Sequence, residues 1–446
     1  MSSKGFSFSS DQLREIARSA LDHASQRGAS ACEVDVSEGF GQTASVRVGE
    51  IDTIEYNRDK GLGVTVYLGQ QRGHASTSDF SPAAIRSAVD AALSIARFTA
   101  ADPCAGLPDA ALLARDCPDL DLHHPWRPSV EEAIEMAHRC EQAAYAVSPQ
   151  ISNSEGASVS SQESQFVLAN SLGFTGGFAS SRHSVSCSVI AGEGDAMQRE
   201  FWYDSRRDAA ELDDIEHIGR KAGERALARV GARKIATCEV PVLFETTVAG
   251  SLIGNLIQAV SGGALYRKSS FLLDSLGQQV MSPIVNISER PHQPKAFGAT
   301  WFDDEGVATH DREIVSGGVL QGYFLSSYSA RKLGMRTTAN AGGAHHLVVE
   351  SGDDDFAALL RRMHRGLVVT ELLGHGVNPV TGDYSRGAAG FWVEKGEISH
   401  PVEEITIAGN LREMFQEIVA IGNDALPRGA RRCGSILLAR MTVAGS

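Results

Sequence analysis

Polar side chains able to converge on one ligand stand between apolar stretches in residues 366–390, GLVVTELLGHGVNPVTGDYSRGAAG. They are Thr370, Glu371, His375, Asn378, Asp383, Tyr384, Ser385 and Arg386. Six of these 25 residues are glycine, and Asn378, Pro379 and Asp383 add turn chemistry. Composition alone gives an irregular loop whose backbone approaches something closely. A ligand or peptide and another subunit explain the glycines equally well. His375, between Gly374 and Gly376, sits on a backbone that brings a ligand close or simply turns. Cys433, before Gly434, has the chemistry of a thiolate nucleophile or a metal ligand. No base is assignable to it, so a packed small residue is the plainer reading.

Other clusters read more simply. His345 and His346 are adjacent, and on a strand they point to opposite faces, which disfavours a shared ion. A strand edge with one buried and one exposed imidazole fits better. Asp303-Asp304-Glu305-Gly306 lacks the spaced oxygen ligands of a calcium loop and reads as a solvated turn before Val307. Asp353-Asp354-Asp355 precedes an apolar helix, where it caps the N-terminus and complements the dipole. The sequence holds no GxxxxGK[ST], no GxGxxG between a strand and a helix, no GxSxG and no HExxH.

These residues need elements to position them. Ser9 and Gln12 have capping-box spacing, and Leu13 to Ala24 follow a helical period that stops at Gly28. Alternation predicts strands at Cys32–Val36, Ala44–Val48 and Leu62–Leu68. Ser81-Pro82 opens a helix to about Phe98. Residues 99–128, with five prolines, read as a linker or wrapping loop. Ser129 and Glu132 form a second capping box, opening a helix to about Ala146. Short alternating runs near 157–160, 165–169, 184–190 and 198–203 predict a meander, and a helix follows near 212–230. The order helix, strands, helix thus occurs twice, as a duplication would give. A second domain begins near Ala236: an apolar strand at Val240–Phe244, a helix at Thr247–Val260, then glycine-rich strands interrupted by a helix at about Asp354–Arg365. The expected class is α+β, with an N-terminal α+β domain over 1–235 and a β-rich C-terminal domain over 236–446.

Composition limits the setting. The net charge of −14 disfavours a phosphate backbone as partner. The longest apolar run, Val248–Val260, is too short to span a bilayer. Seven scattered cysteines without a CxxC pair fit a reducing compartment, and no secretory signal opens the chain, so a cytoplasmic protein is expected.

The chain resembles the TldD/PmbA peptidase family, on its TldE/PmbA side. The resemblance covers nearly the whole chain. It rests on SGGALYRKSSFLLDSLGQQV (261–280), FDDEGVATHDREIVSGGVLQGYFLSSYSARKLG (302–334), the stretch 366–410 that begins GLVVTELLGHG, and AIGNDALPRGARRCGSILL (420–438). It implies a heterodimeric metallopeptidase acting on unfolded peptides and modified peptide precursors; an older name links the family to DNA gyrase. In TldD-type chains HExxxH on a helix and a downstream Cys bind zinc, and the Glu takes a proton from the zinc-bound water. Aligning Arg267-Lys268 with the family's Arg-Lys pair puts the six motif positions at Gly254–Ala259, where both histidines and the glutamate are absent. No register slip restores them, because no His lies between His217 and His292. Cys433 matches the family's Cys, leaving a degenerate metal position.

The resemblance therefore implies a non-catalytic subunit with no catalytic residue and no cofactor of its own. Zinc would sit on a TldD-type partner, and Thr370, Glu371, His375, Asn378, Asp383, Tyr384 and Arg386 would touch peptide or partner. The alternative is a homodimer that captures extended peptides without cutting them. A hydrolase built on Cys433 and His375 is the weakest reading, since nothing in the sequence brings the two together.

Overall fold

The computed structural model describes residues 5–445, apart from the side chain of Asp195. The N-terminal part runs α1 (Ser10–Gln26), β1 (Ala31–Arg47), β2 (Glu50–Leu68), β3 (Gln71–Thr77), α2 (Pro82–Phe98), α3 (Val130–Tyr145), β4 (Ile151–Asn170), β5 (Thr175–Gly176), β6 (Ala179–Ala191), β7 (Gln198–Arg206) and α4 (Ile215–Arg229). All seven strands form one antiparallel sheet, ordered β3-β2-β1-β4-β6-β7, with β5 beside β4. Helix, strands, helix does occur twice, but the two sets share this single sheet. Both expected capping boxes form, at Ser9 and Ser129.

Two separate strands were expected on either side of residue 40, and two more within 157–169. Each pair is one long strand, β1 and β4, and β2 begins at Glu50. Alternation is visible only where helices cover the sheet. Val34, Val36, Val167 and Ala169 lie under α1 and α2, while Ala44, Val46, Ala157 and Val159 lie under α3 and α4. Between the helix pairs the same face carries buried carboxylates. Glu38 accepts the Ser7 and Phe8 N–H groups and meets Arg58 at 2.8 Å. Glu163 meets His123 at 2.9 Å and Arg127 at 2.8 Å. Apolar alternation has no reason to persist there.

The proline-rich segment wraps the molecule. Leu113, Leu120 and Leu122 pack with Leu168, Phe174, Trp301 and Phe302 where the sheet meets the C-terminal part. Asp102 accepts from Tyr328 at 2.7 Å and meets Lys332 at 3.0 Å.

The C-terminal part runs β8 (Cys238–Phe244), α5 (Thr246–Ala259), α6 (Gly262–Tyr266), β9 (Ile287–Glu289), β10 (Arg312–Ser316), β11 (Val319–Leu320), α7 (Ser327–Leu333), β12 (Leu347–Val349), α8 (Phe356–Met363), β13 (Gly366–Leu373), β14 (Asp383–Glu394), β15 (Glu397–Asn410), α9 (Leu411–Gln416), β16 (Ile418–Ile421), β17 (Arg431–Arg432) and β18 (Ile436–Ala444). Its larger sheet is ordered β15-β14-β13-β8-β18-β16, and β15 also pairs with β18, so the sheet closes on itself. A smaller sheet is ordered β11-β10-β9-β12-β17. The largest apolar core of the chain joins α5, through Leu252, Ile253 and Leu256, to both sheets. The fold is α+β.

Candidate functional site

The segment 366–390 is a hairpin rather than an irregular loop. β13 and β14 pair antiparallel across it. A single composition serves both because the glycines permit close strand contact: a Cβ on Gly390 would lie 1.8 Å from the Val368 carbonyl oxygen. The register slips between Val369 and Glu371, which makes Thr370 a bulge residue. β8 runs parallel to β13 only over Leu367–Val369, then turns at Glu245 into α5. The β8-side edge of Thr370–Leu373 therefore carries no strand among the described residues.

A cleft of about 660 Å³ opens at this point. Thr370, Glu371 and Leu372 line it, with Thr247 and Ser251 from the first turns of α5. The N-terminal part contributes Arg199–Tyr203 of β7 and Arg225 of α4, and Leu426 with residues 428–431 closes the rim. β7 is the last strand of its sheet, so its outer edge is also without a partner strand among the described residues.

Ion pairs hold the cleft together. Glu200 meets Arg229 at 3.3 Å and Arg225 at 3.5 Å. Arg225 also meets Glu245 at 2.7 Å, and Arg229 meets Glu371. The Arg428 guanidinium lies 4.0 Å from the Trp202 ring centroid. Burial pulls Arg428 below the ordinary arginine value, and Asp204 opposes it from 3.5 Å. Four buried lining atoms have no hydrogen-bond partner among the described residues: Trp202 Nε1, Arg225 Nε, Thr370 Oγ1 and Arg428 Nη1.

The donor set around α5 does not fit zinc. The helix is regular over Gly254–Ala259, and Asn255 bonds its own backbone at Ser251. A Cβ on Gly254 would lie 2.9 Å from Arg431 Nη1, so a guanidinium rather than a metal-ligating group stands beside this turn of the helix. Burial, and then the nearby Asp424, push the Cys433 thiol up to about 12. It stays protonated at neutral pH and bonds the Gly434 carbonyl at 3.2 Å. Among the described residues no cluster of three or more His, Cys, Asp or Glu side chains could hold a metal.

The other sequence candidates disperse. His375 is exposed in the hairpin turn, whereas Cys433 is buried, which removes the geometric basis of a Cys–His pair. Asn378 shapes that turn, accepting from Val380 at 3.0 Å and donating to the Asp383 carbonyl at 2.8 Å. Asp383 is held by Thr381 and Asn410. Tyr384 is buried in the core, and burial pushes its phenol up to about 12. Arg386 reaches the Leu372 carbonyl at 3.4 Å. Only Thr370 and Glu371 of the seven line the cleft.

The acidic turn differs from expectation. Asp303 is buried rather than solvated, and its carboxylate accepts N–H groups from Glu305, Val307 and Ala341. Burial, then Glu305, push its carboxyl up to about 7 against those bonds. His346 is buried and His345 bonds the Ala339 carbonyl at 2.6 Å. Asp355 caps α8 at 2.7 Å.

Sequence reasoning missed Trp202, Arg225, Arg428 and Arg431. The dense basic stretch Arg428 to Arg432 beside Cys433 was the available signal; nothing in the sequence tied it to β7.

Three family models match in chain order: PmbA/TldA metallopeptidase domain 1 over residues 32–96, the central domain over 123–230 and the C-terminal domain over 237–445. The metalloprotease PmbA of Escherichia coli O157:H7 is 48% identical over 97% of this chain and 96% of its own. The chain belongs to the PmbA/TldD family. Among solved structures, a Bacteroides thetaiotaomicron protein described as a modulator of DNA gyrase matches with a TM-score of 0.93 and 29% identity, over 98% of this chain and all of its own. TldE from Thermococcus kodakarensis shares the fold, with a TM-score of 0.84 at 21% identity over 97% of this chain and all of its own.

Proposed function

We propose that this chain is the non-catalytic subunit of a TldD/TldE-type heterodimeric zinc peptidase. It would be cytoplasmic and act on unfolded peptides and modified peptide precursors. The TldD-type partner would carry the zinc, and this chain would enclose part of the peptide chamber. The observation that supports it most is that α5, the helix the resemblance would make the zinc helix, carries no His, Asp, Glu or Cys and has the Arg431 guanidinium beside Gly254. A three-ligand zinc centre needs imidazole or carboxylate donors, and this helix offers none.

Purified alone, the chain should carry essentially no stoichiometric zinc by mass-spectrometric metal analysis and cleave no unfolded peptide. Mixed with a TldD-type chain, it should form a stable complex whose cleavage stops on chelation. Robust chelator-sensitive cleavage by this chain alone would overturn the proposal.

A second reading, a homodimer that captures extended peptides, draws support from the two unpaired strand edges beside the cleft. Strand addition gives affinity with little sequence preference. Peptide binding by a homodimer that ignores any TldD-type chain would favour it.

A further inference from the structure

We infer that the cleft beside α5 holds the C-terminal carboxylate of an extended peptide, with Arg431 as the cation that receives it. The inference rests on the reading that this helix holds no metal, but it does not need the heterodimer. Its starting point is charge accounting within the cleft. Arg225 is paired with Glu245 and Glu200, Arg428 with Asp204, and Arg199 with Glu155. Arg431 alone of these has no carboxylate partner among the described residues. Its nearest polar contact is the Gly250 carbonyl, 3.5 Å from Nη1. A guanidinium presents a planar fork that matches a carboxylate and stays charged at any working pH.

Position adds to the charge. Arg431 belongs to β17, which pairs with β12, so its backbone is fixed by the small sheet. Its side chain reaches the middle of α5, where Nη1 would lie 2.9 Å from a Cβ on Gly254. The free edges of β7 and Thr370–Leu373 border the same cleft and can register an extended backbone. The aromatic run Phe201, Trp202 and Tyr203 supplies apolar contact for side chains. Trp202 Nε1, Thr370 Oγ1 and Arg428 Nη1, on side chains at least nine-tenths buried, lack partners. A peptide would thus meet both a backbone template and an anion receptor, which makes its end, rather than a bond within it, the recognised feature.

The test is fluorescence anisotropy on the full-length chain with an unstructured, N-terminally labelled peptide. Three forms are compared: the free acid, its C-terminal amide, and an amide with an internal glutamate. The free acid should bind about tenfold more tightly than either amide. Arg431→Met should bring the free acid to the amide's affinity and leave the amide unchanged, while Arg431→Lys keeps part of the preference. Because Arg431 is exposed, an unchanged melting curve should show that the variants fold. Equal binding of acid and amide, no binding of either, or a loss in Arg431→Met that is the same for both would overturn the inference. Tight binding of the internal-glutamate amide would move the ligand to an acidic side chain and overturn the C-terminal assignment. Stoichiometric zinc on the chain would instead strike the proposed function, and metal analysis reads that separately.

Discussion

At the scale of single residues, environment decides chemistry more than residue type does. The resemblance would make Cys433 a metal ligand, yet the residue is 4% exposed and burial pushes its thiol up to about 12. Native thiol labelling followed by peptide mass spectrometry should modify the exposed Cys117 and spare Cys433 until the chain unfolds. Glu163 shows the opposite outcome. Burial opposes its charge, but bonds from His123 and Arg127 win and hold its carboxyl at about 2, below the ordinary 4.5. The folded-state value is depressed, so this stabilisation is present above about pH 4.5 and lost as the pH falls toward 2. Glu163→Gln should cost about 2 kcal/mol at pH 7, by urea denaturation, with the difference from wild type shrinking below pH 4.

At the scale of elements, the β13–β14 hairpin positions the cleft. Gly390 pairs with Val369 across it, a Cβ there would strike the Val368 carbonyl oxygen, and the one register slip of this pairing falls at Thr370. Gly390→Ala must push two paired backbones apart, at a cost of about 2–3 kcal/mol. Chemical denaturation should read that loss, and amide exchange should quicken at Thr370–Leu372 before it does in α1 or α2. The helices were legible from sequence because capping boxes and 3.6-residue periods are local. The long strands were not. Their middle positions bury Glu38 and Glu163 against residues far along the chain, and such partners leave no periodic trace.

At the scale of the molecule, the two parts depend on each other. Trp301 and Phe302 cover Phe174 and Leu168 of the N-terminal part, and the wrapping segment adds Leu113, Leu120 and Leu122. Trp301→Ala should cost about 3–5 kcal/mol. Calorimetry is expected to show one cooperative transition for the parent chain and two separated transitions for the variant. The cleft is a product of the same docking, because Glu200, Trp202 and Arg225 come from one part and Glu371 and Arg431 from the other.

By itself the sequence determined the α+β class, the principal helices, the family and the missing HExxxH. Each is written in local pattern or in long ordered stretches. Tertiary structure alone decided that residues 366–390 form a hairpin, that Asp303 is buried, and that only Thr370 and Glu371 of the segment's candidates line the cleft. It also placed Arg431 against Gly254, 177 positions away in sequence. Spacing along a chain carries no information about such a distance; it is set by which strands pair and which faces must leave water.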